Sequence, residues 1–341
     1  MRVSWITFGS VVRGPDGEVT SDVASVRYRV LSPIRELQRP SFQHVLTAIR
    51  ADTAERVKSE ALDADVVVFS KSFLASNETL AERAIAQGTR VIFDVCDDHY
   101  QHPDHGAHFR RMSALAHQLV CNTPQMARAA RPYCEAEPLV IADPYEGPRG
   151  DPAFSPSDRL RLLWFGHPSN LDSLGSAMGD LAAYAANQPL ALTVLTQLTD
   201  EIEAGCRDLT ARSAGRLSVS AKPWSLAAQW RELADCDVVI IPSRDTPERR
   251  VKSANRMIES LRAGRPVVAQ ALPAYEPFAR WAPATASLAE GCRRLQSEPS
   301  AVEGLISQAQ AYIEQTFAPA AVAARWAEAL ETQSAERLVA R

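Results

Sequence analysis

The chain has 341 residues, with 37 Lys and Arg against 41 Asp and Glu for a formal net charge of −4. That balance excludes a nucleic-acid binder held by bulk positive charge, and 46% apolar residues exclude a disordered tail. At roughly 150 residues per domain the length predicts two domains. Its apolar runs fall short of the ~20 residues that cross a bilayer, and MRVSWITFGS lacks the apolar core and small-residue cleavage site of a signal peptide. A soluble cytoplasmic protein is expected, with at most peripheral contact at the inner face of the membrane. Cys96, Cys121, Cys134, Cys206, Cys236 and Cys292 are scattered without a C-x-x-C pair, so free structural thiols are expected.

Short, β-branched apolar runs at 3–8, 45–49, 66–69, 91–95, 119–121 and 139–141 read as buried strands. Helix-like stretches lie between them at 24–38, 52–61, 77–87, 107–116 and 124–131. Asn77 and Thr79 resemble a capped helix start, and Gly88 a stop. The stretch DPYEGPRGDPAFSPSD (143–158) is too rich in Pro and Gly for a regular element and reads as a linker. Alternation then resumes, with strands expected at 160–165, 191–195, 217–220, 238–241 and 266–269. Helices are expected at 170–186, 199–213, 225–235, 253–263, 273–281, 300–315 and 318–338. Strands alternating with helices imply parallel sheets covered on both faces. The expected fold is α/β, with two doubly wound Rossmann-like domains facing a cleft. Their bounds are 1–147 and 159–316, joined by a linker at 148–158, with a C-terminal helix over 317–341 packing back on the first domain.

In parallel sheets ligands lie beyond the carboxyl ends of the strands. The loop and helix after DVVIIPS carry six basic residues over 244–262 (Arg244, Arg249, Arg250, Lys252, Arg256, Arg262) against three acids. Ser253 is expected to start the helix, whose free amides attract an anion. At 100° per residue Lys252, Asn255 and Glu259 share one face, while Ala254, Met257, Ile258 and Leu261 face the sheet. A cation, an amide and a carboxylate in that order suit a nucleotide's phosphates and ribose; a solvated charged helix is the alternative.

KSANRMIESLRAGRPVVA resembles the donor-binding helix and following strand of GT-B glycosyltransferases, especially retaining family 4 and its uncharacterised relatives. ASVRYRVLSPIREL, DADVVVFSK, RVIFDVCDDHY, LVCNTPQMA, PLVIADPYE and LRLLWFGHPSNLDSL are similar to further elements of that architecture in the same order. The resemblance implies an N-terminal acceptor domain and a C-terminal nucleotide-sugar domain. Gly9, Gly166, His167, Asn170, Arg249, Arg250, Lys252, Ser253, Asn255 and Glu259 would bind the donor. Two positions depart from the family pattern. Val251 stands where family 4 usually has a Glu eight residues before the one matched by Glu259. His167 stands in place of the usual Arg, with no Lys downstream, so Arg249, Arg250 and Lys252 would neutralise the phosphates.

The loop Asp97-Asp98-His99-Tyr100 follows a strand, and the resemblance places it near the transferred sugar. A carboxylate there can act as base, nucleophile or stabiliser of an oxocarbenium-like centre. The same loop, with His102, His105 and His108, offers zinc-ligand types, and it also reads as a plain solvated loop. Lys71 ends another strand, and Arg29 sits near the start of the first long helix; both are candidates for acceptor or phosphate contact. Trp164 and Trp281 read as core aromatics. The P-loop, G-x-G-x-x-G and G-x-S-x-G patterns are absent. These readings imply a metal-independent, retaining glycosyltransferase without a bound cofactor. It would move a sugar from a nucleotide-activated donor to a glycan or lipid-linked glycan of the surface-polysaccharide or lipopolysaccharide type. A CMP-linked keto-sugar donor, a nucleotide-sugar epimerase and a non-catalytic binding module are the alternatives.

Overall fold

The computed structural model describes residues 1–15, 17–49 and 61–332. The chain divides into two compact units, one built from Met1–Pro144, Val251–Ser253 and Thr316–Arg341, the other from Tyr145–Arg250 and Ala254–Gln315.

The first unit holds a six-stranded parallel sheet. Its strands are β1 (Arg2–Phe8), β4 (Gln43–Ile49), β5 (Val66–Ser70), β6 (Arg90–Val95), β7 (Gln118–Cys121) and β8 (Leu139–Val140), in the order β4-β1-β5-β6-β7-β8. A short antiparallel hairpin, β2 (Val12–Arg13) with β3 (Val19–Thr20), follows β1 and was not expected from the sequence. The run VVVF at 66–69 is apolar throughout because both sheet faces are covered, and its side chains alternate between two cores. Val67 and Phe69 pack with Phe93, Phe109 and Met112 on one face. Val66 and Val68 pack on the other with Trp5, Val30 and Leu37, and with Val322, Trp326 and Leu330 of the helix Pro319–Glu331. The Trp5 and Trp326 rings meet edge-on at 5.2 Å.

The second unit contains β9 (Leu160–Phe165), β10 (Leu190–Thr196), β11 (Leu217–Pro223), β12 (Val238–Ile241) and β13 (Val267–Ala269). They form a parallel sheet in the order β11-β10-β9-β12-β13. In each sheet the strand order reverses beside the first strand, between β1 and β5 and between β9 and β12. Those are the points where ligands enter doubly wound sheets.

Several local expectations are revised. Ala75, not Asn77, caps the helix Ser76–Ala86, while Gly88 (φ +78°) does end that turn. The Pro-rich segment after Pro144 groups with the second unit. There Gly150 N donates to Arg262 O at 3.0 Å and Ala153 N to Gly264 O at 3.0 Å, so chain that cannot form a regular element is tied down by its amides. The stretch 273–281 contains only the 3-10 turn Pro273–Phe278, interrupted by Pro277. The helix Leu288–Ser297 was hidden by its internal Gly291, where a Cβ would come within 2.3 Å of Val268. The helix expected over 52–61 falls on residues outside those described, apart from residue 61, as does the end of the stretch 318–338 beyond 332. All six cysteines are free thiols. Among the described residues no helix is long and apolar enough to cross a membrane.

Candidate active site

In the second unit, Gly166 directly follows β9, and the loop after β12 includes Ser243. Gly166 O accepts from Thr196 Oγ1 at 2.7 Å, which fixes the turn beside the sheet. Exposed His167 caps the turn Pro168–Asn170 through its Nδ1, which accepts from Ser169 N at 3.2 Å. Arg249 donates to Asn170 Oδ1, to Ser169 O at 3.0 Å and to Asp172 Oδ1 at 3.1 Å. Arg250 forms a two-pronged pair with Asp245 at 2.5 and 2.6 Å. The structure thus gives both arginines carboxylate partners, and Asp172 is one the sequence reading did not count.

The helix expected from Ser253 begins at Asn255, capped by Ala254. An alanine has no side-chain oxygen to offer the first amides, which remain suited to an anion. Met257, Ile258 and Leu261 are buried, as the apolar stripe predicts. Glu259 is buried as well, rather than on a solvated face. Its Oε2 accepts from Gln229 Nε2 at 2.8 Å, and Gln229 Oε1 accepts from Trp224 Nε1 at 3.0 Å. Lys252 and Ser253 lie outside this helix and group with the first unit. Val251 is part of that unit's core, and its carbonyl accepts from Thr123 Oγ1 at 2.8 Å.

In the first unit the strand ends gather a second set of groups. Gly9, at φ +120°, ends β1 with a backbone conformation that favours glycine. Lys71 follows β5 in the left-handed region at φ +55°, a strained position for a side-chain-bearing residue. Its Nζ donates to Asp97 Oδ2 at 2.7 Å, while Lys252 Nζ donates to Asp97 Oδ1. Burial alone would raise the Asp97 carboxyl, but the two ammonium groups hold it well below the usual carboxylate range. Burial likewise opposes the charge on Lys71, yet Cys96, Asp97 and Asp94 raise it on balance. Asp98 accepts from Tyr100 N at 3.1 Å, an Asx-type turn. His99 packs against Phe73 at 5.2 Å and Phe109 at 5.0 Å. Burial, followed by the neighbouring cations, pushes it down to about 4 despite the pull of Asp97, so it is neutral at pH 7.

One expectation changes here. Arg29 is fully enclosed, paired with Asp94 at 2.6 Å and Asp143 at 3.1 Å, and lies 5.3 Å over the Trp326 ring. These two carboxylates and the Ile141 carbonyl, which accepts from its Nη1 at 2.5 Å, hold it inside the fold, so it has no exposed donor for a substrate. Three of the loop's histidines cluster, with the His99 ring 5.9 Å from His102 and 6.0 Å from His105. The His102 and His105 rings stack at 4.7 Å, whereas His108 turns inward between Ser72 Oγ at 3.2 Å and Glu78 Oε1 at 2.7 Å. Among the described residues no three His, Cys, Asp or Glu side chains are arranged to hold a metal ion. The Ser72–His108–Glu78 relay spans 36 positions and left no local signal in the sequence. A groove of about 440 Å³ lined by Arg39, Phe42 and His44 lies at the amino end of β4, away from these strand ends.

No protein-family model and no curated protein matches the sequence. Solved structures do match the fold. HepE from Anabaena, solved in complex with UDP, aligns over 97% of this chain and 100% of its own with a TM-score of 0.72 at 15% identity. A glycosyltransferase from Rickettsia africae ESF-5 aligns over 97% and 98% with a TM-score of 0.67 at 10% identity. AviGT4, a glycosyltransferase involved in avilamycin A biosynthesis, aligns over 96% and 97% with a TM-score of 0.59 at 14% identity. The fold is GT-B. At these identities the likeness is one of architecture, two doubly wound units with the strand orders described above.

Proposed function

We propose that this GT-B chain is a glycosyltransferase that moves a sugar from a nucleotide-activated donor to a glycan or lipid-linked glycan, of the kind found in surface polysaccharide or lipopolysaccharide. The observation that carries the reading is the switch point of the second sheet. There Gly166, the alanine-capped helix and the buried carboxylate of Glu259 offer, in turn, room for a phosphate, amides for its oxygens and an acceptor for ribose hydroxyls. The fold is shared along nearly its whole length with HepE, which was solved with UDP bound.

In this reading Gly166, His167, Asn170 and Asn255 frame the donor's phosphates, while Arg249, Arg250, Lys252 and Ser253 supply charge and hydrogen bonds. Cationic side chains and helix amides then stabilise the departing phosphate where other transferases use a divalent metal. Gly9 leaves room at the end of the first unit's leading strand. The loop Asp97–His99 acts on the sugar or the acceptor, and Lys71 orients it through Asp97. Asp98 is the carboxylate of the loop free of a lysine, and neutral His99 is able to accept a proton but not to donate one. Retention of anomeric configuration follows from the family 4 resemblance, and the cytoplasm is where nucleotide-sugars would meet the protein. The test is a panel of UDP-, GDP- and CMP-sugars, each with and without lipid-linked acceptors, read by nucleotide release and product mass. Release that requires an acceptor supports transfer. Conversion of the sugar without an acceptor would indicate an epimerase, and binding without turnover a non-catalytic module.

A further inference from the structure

Lys71 carries its side chain at φ +55°, and the residues on either side of it are both tied down through their hydroxyl groups. Ser70 Oγ donates to Asp94 Oδ2 at 2.7 Å, and Asp94 is itself paired with the enclosed Arg29. Ser72 Oγ accepts from Asn77 Nδ2 at 2.7 Å and lies 3.2 Å from His108 Nε2. The other nitrogen of that ring, Nδ1, meets Glu78 Oε1 at 2.7 Å. With the Asn77 amide donating to the Ser72 hydroxyl, the hydroxyl donates to Nε2 and the ring donates from Nδ1 to the carboxylate. That direction gives the hydroxyl, both ring nitrogens and the carboxylate a partner.

Serine, histidine and glutamate in this order resemble a nucleophile with its base and acid, but Ser72 is 1% exposed and its hydroxyl is enclosed. The relay therefore holds chain rather than attacking a substrate, and what it holds is the residue after Lys71. A left-handed backbone at a residue with a Cβ persists only where the surroundings over-determine it. The two serines do so here. Ser70 is fixed through Asp94 of β6, and Ser72 through the helices Ser76–Ala86 and Gly106–Leu115, which carry Asn77, Glu78 and His108. In that conformation Lys71 Nζ reaches Asp97 Oδ2 at 2.7 Å and lies 5.5 Å from the Phe73 ring centre. We propose that Ser72, His108 and Glu78 are positioning residues, which fix the strained turn at Lys71 so that its ammonium holds Asp97 and with it the loop Asp97–His99. The proposal rests on the reading of that loop as the part that acts on the sugar or the acceptor, and it adds the residues that set the loop's geometry.

The test has two readouts on the full chain. The first is labelling of lysine amines with acetic anhydride, followed by peptide mass spectrometry, which needs no substrate. Lys71 is expected to label several-fold faster in His108→Ala and in Ser72→Ala, because the relaxed turn withdraws its ammonium from Asp97. Lys222, paired with Glu232 in the second unit, is the internal reference and should not change. The second readout is turnover with the donor and acceptor that the panel above identifies. There kcat should fall by about 10- to 100-fold, the cost of a misplaced group, while nucleotide Kd stays within about twofold. Glu78→Ala should show both effects, and Glu78→Gln, which keeps an oxygen for Nδ1, should recover most of the loss. Glu78 is partly exposed, so this pair carries the test if the buried variants do not fold. In a Lys71→Ala background His108→Ala should cost no further turnover, a coupling that general structural damage would not produce. Unchanged Lys71 labelling in folded variants overturns the relay's hold on the turn. Faster labelling with wild-type turnover, or additive losses in the double variant, overturns its part in the reaction. If no donor and acceptor turn over, the proposed function falls, and Lys71 labelling alone decides whether the relay fixes the turn.

Discussion

Asp97 is the most constrained member of its loop. Two ammonium groups claim its oxygens, so Asp97→Ala leaves Lys71 partly buried without its carboxylate, and a loss of roughly 3 kcal/mol is expected, as for breaking a buried pair. Asp98 and His99 have no such duty. Asp98→Ala or His99→Ala, at least one of them, should lower kcat by ~10²-fold with nucleotide Kd unchanged, the pattern of a group that acts in the transition state. Wild-type turnover in both would move the chemistry off this loop. His99 also sets a pH dependence. In the folded protein it titrates near 4, whereas an unfolded imidazole takes its proton near 6.5, so the unfolded chain binds more protons between these values. Stability should therefore be full above about 6.5 and fall as the pH drops toward 4. Urea midpoints across that range should decline less in His99→Gln than in wild type. In the second unit, Glu259→Ala should weaken nucleotide binding by ~1–3 kcal/mol, the scale of a charge-assisted hydrogen bond. Undiminished affinity in a folded variant would remove Glu259 from the site.

Among the elements, the helix Pro319–Glu331 shows most directly how packing overrides chain order. It follows the second unit in sequence, yet Val322, Trp326 and Leu330 close one face of the first unit's sheet. Arg90 reinforces this by donating to Ala329 O at 2.5 Å. Trp326 is fully buried against Trp5, so Trp326→Ala is expected to cost about 3–5 kcal/mol. Chemical denaturation followed by far-UV circular dichroism checks this, and a loss below about 1 kcal/mol would mean that the helix holds by other contacts. The segment Val251–Ser253 behaves similarly on a smaller scale. Val251 is drawn into a core distant in sequence, which takes Lys252 off the helix where its spacing would have put it.

For the molecule as a whole, both units obey one rule: parallel strands point their carboxyl ends toward the residues able to do chemistry, and the strand order reverses beside the first strand of each sheet. Under the proposed function the cationic groups around those ends, rather than a divalent ion, would support phosphate departure. Transfer activity should therefore survive EDTA. Activity lost in the chelator and restored by magnesium or manganese would refute side-chain stabilisation of the leaving group.

The two sheets could be read from the chain because their signal is local. VVVFS, LRLLWF and VVII are short and mostly apolar, and burial on both faces of a parallel sheet demands just such runs. The apolar stripe of Met257, Ile258 and Leu261 is local in the same way, since helical period alone places it. The partners of the charged groups are not local. Arg29 meets Asp94 and Asp143 across 65 and 114 positions, and Lys252 meets Asp97 across 155. Nothing in the residues around Arg29 distinguishes an arginine enclosed by two carboxylates from one facing a substrate, because the difference lies in which distant acids the fold brings within hydrogen-bond reach. Residue type and period therefore sufficed for the two parallel sheets and for most of the helices. Which cations are already neutralised depended on long-range packing, because their carboxylates come from distant parts of the chain.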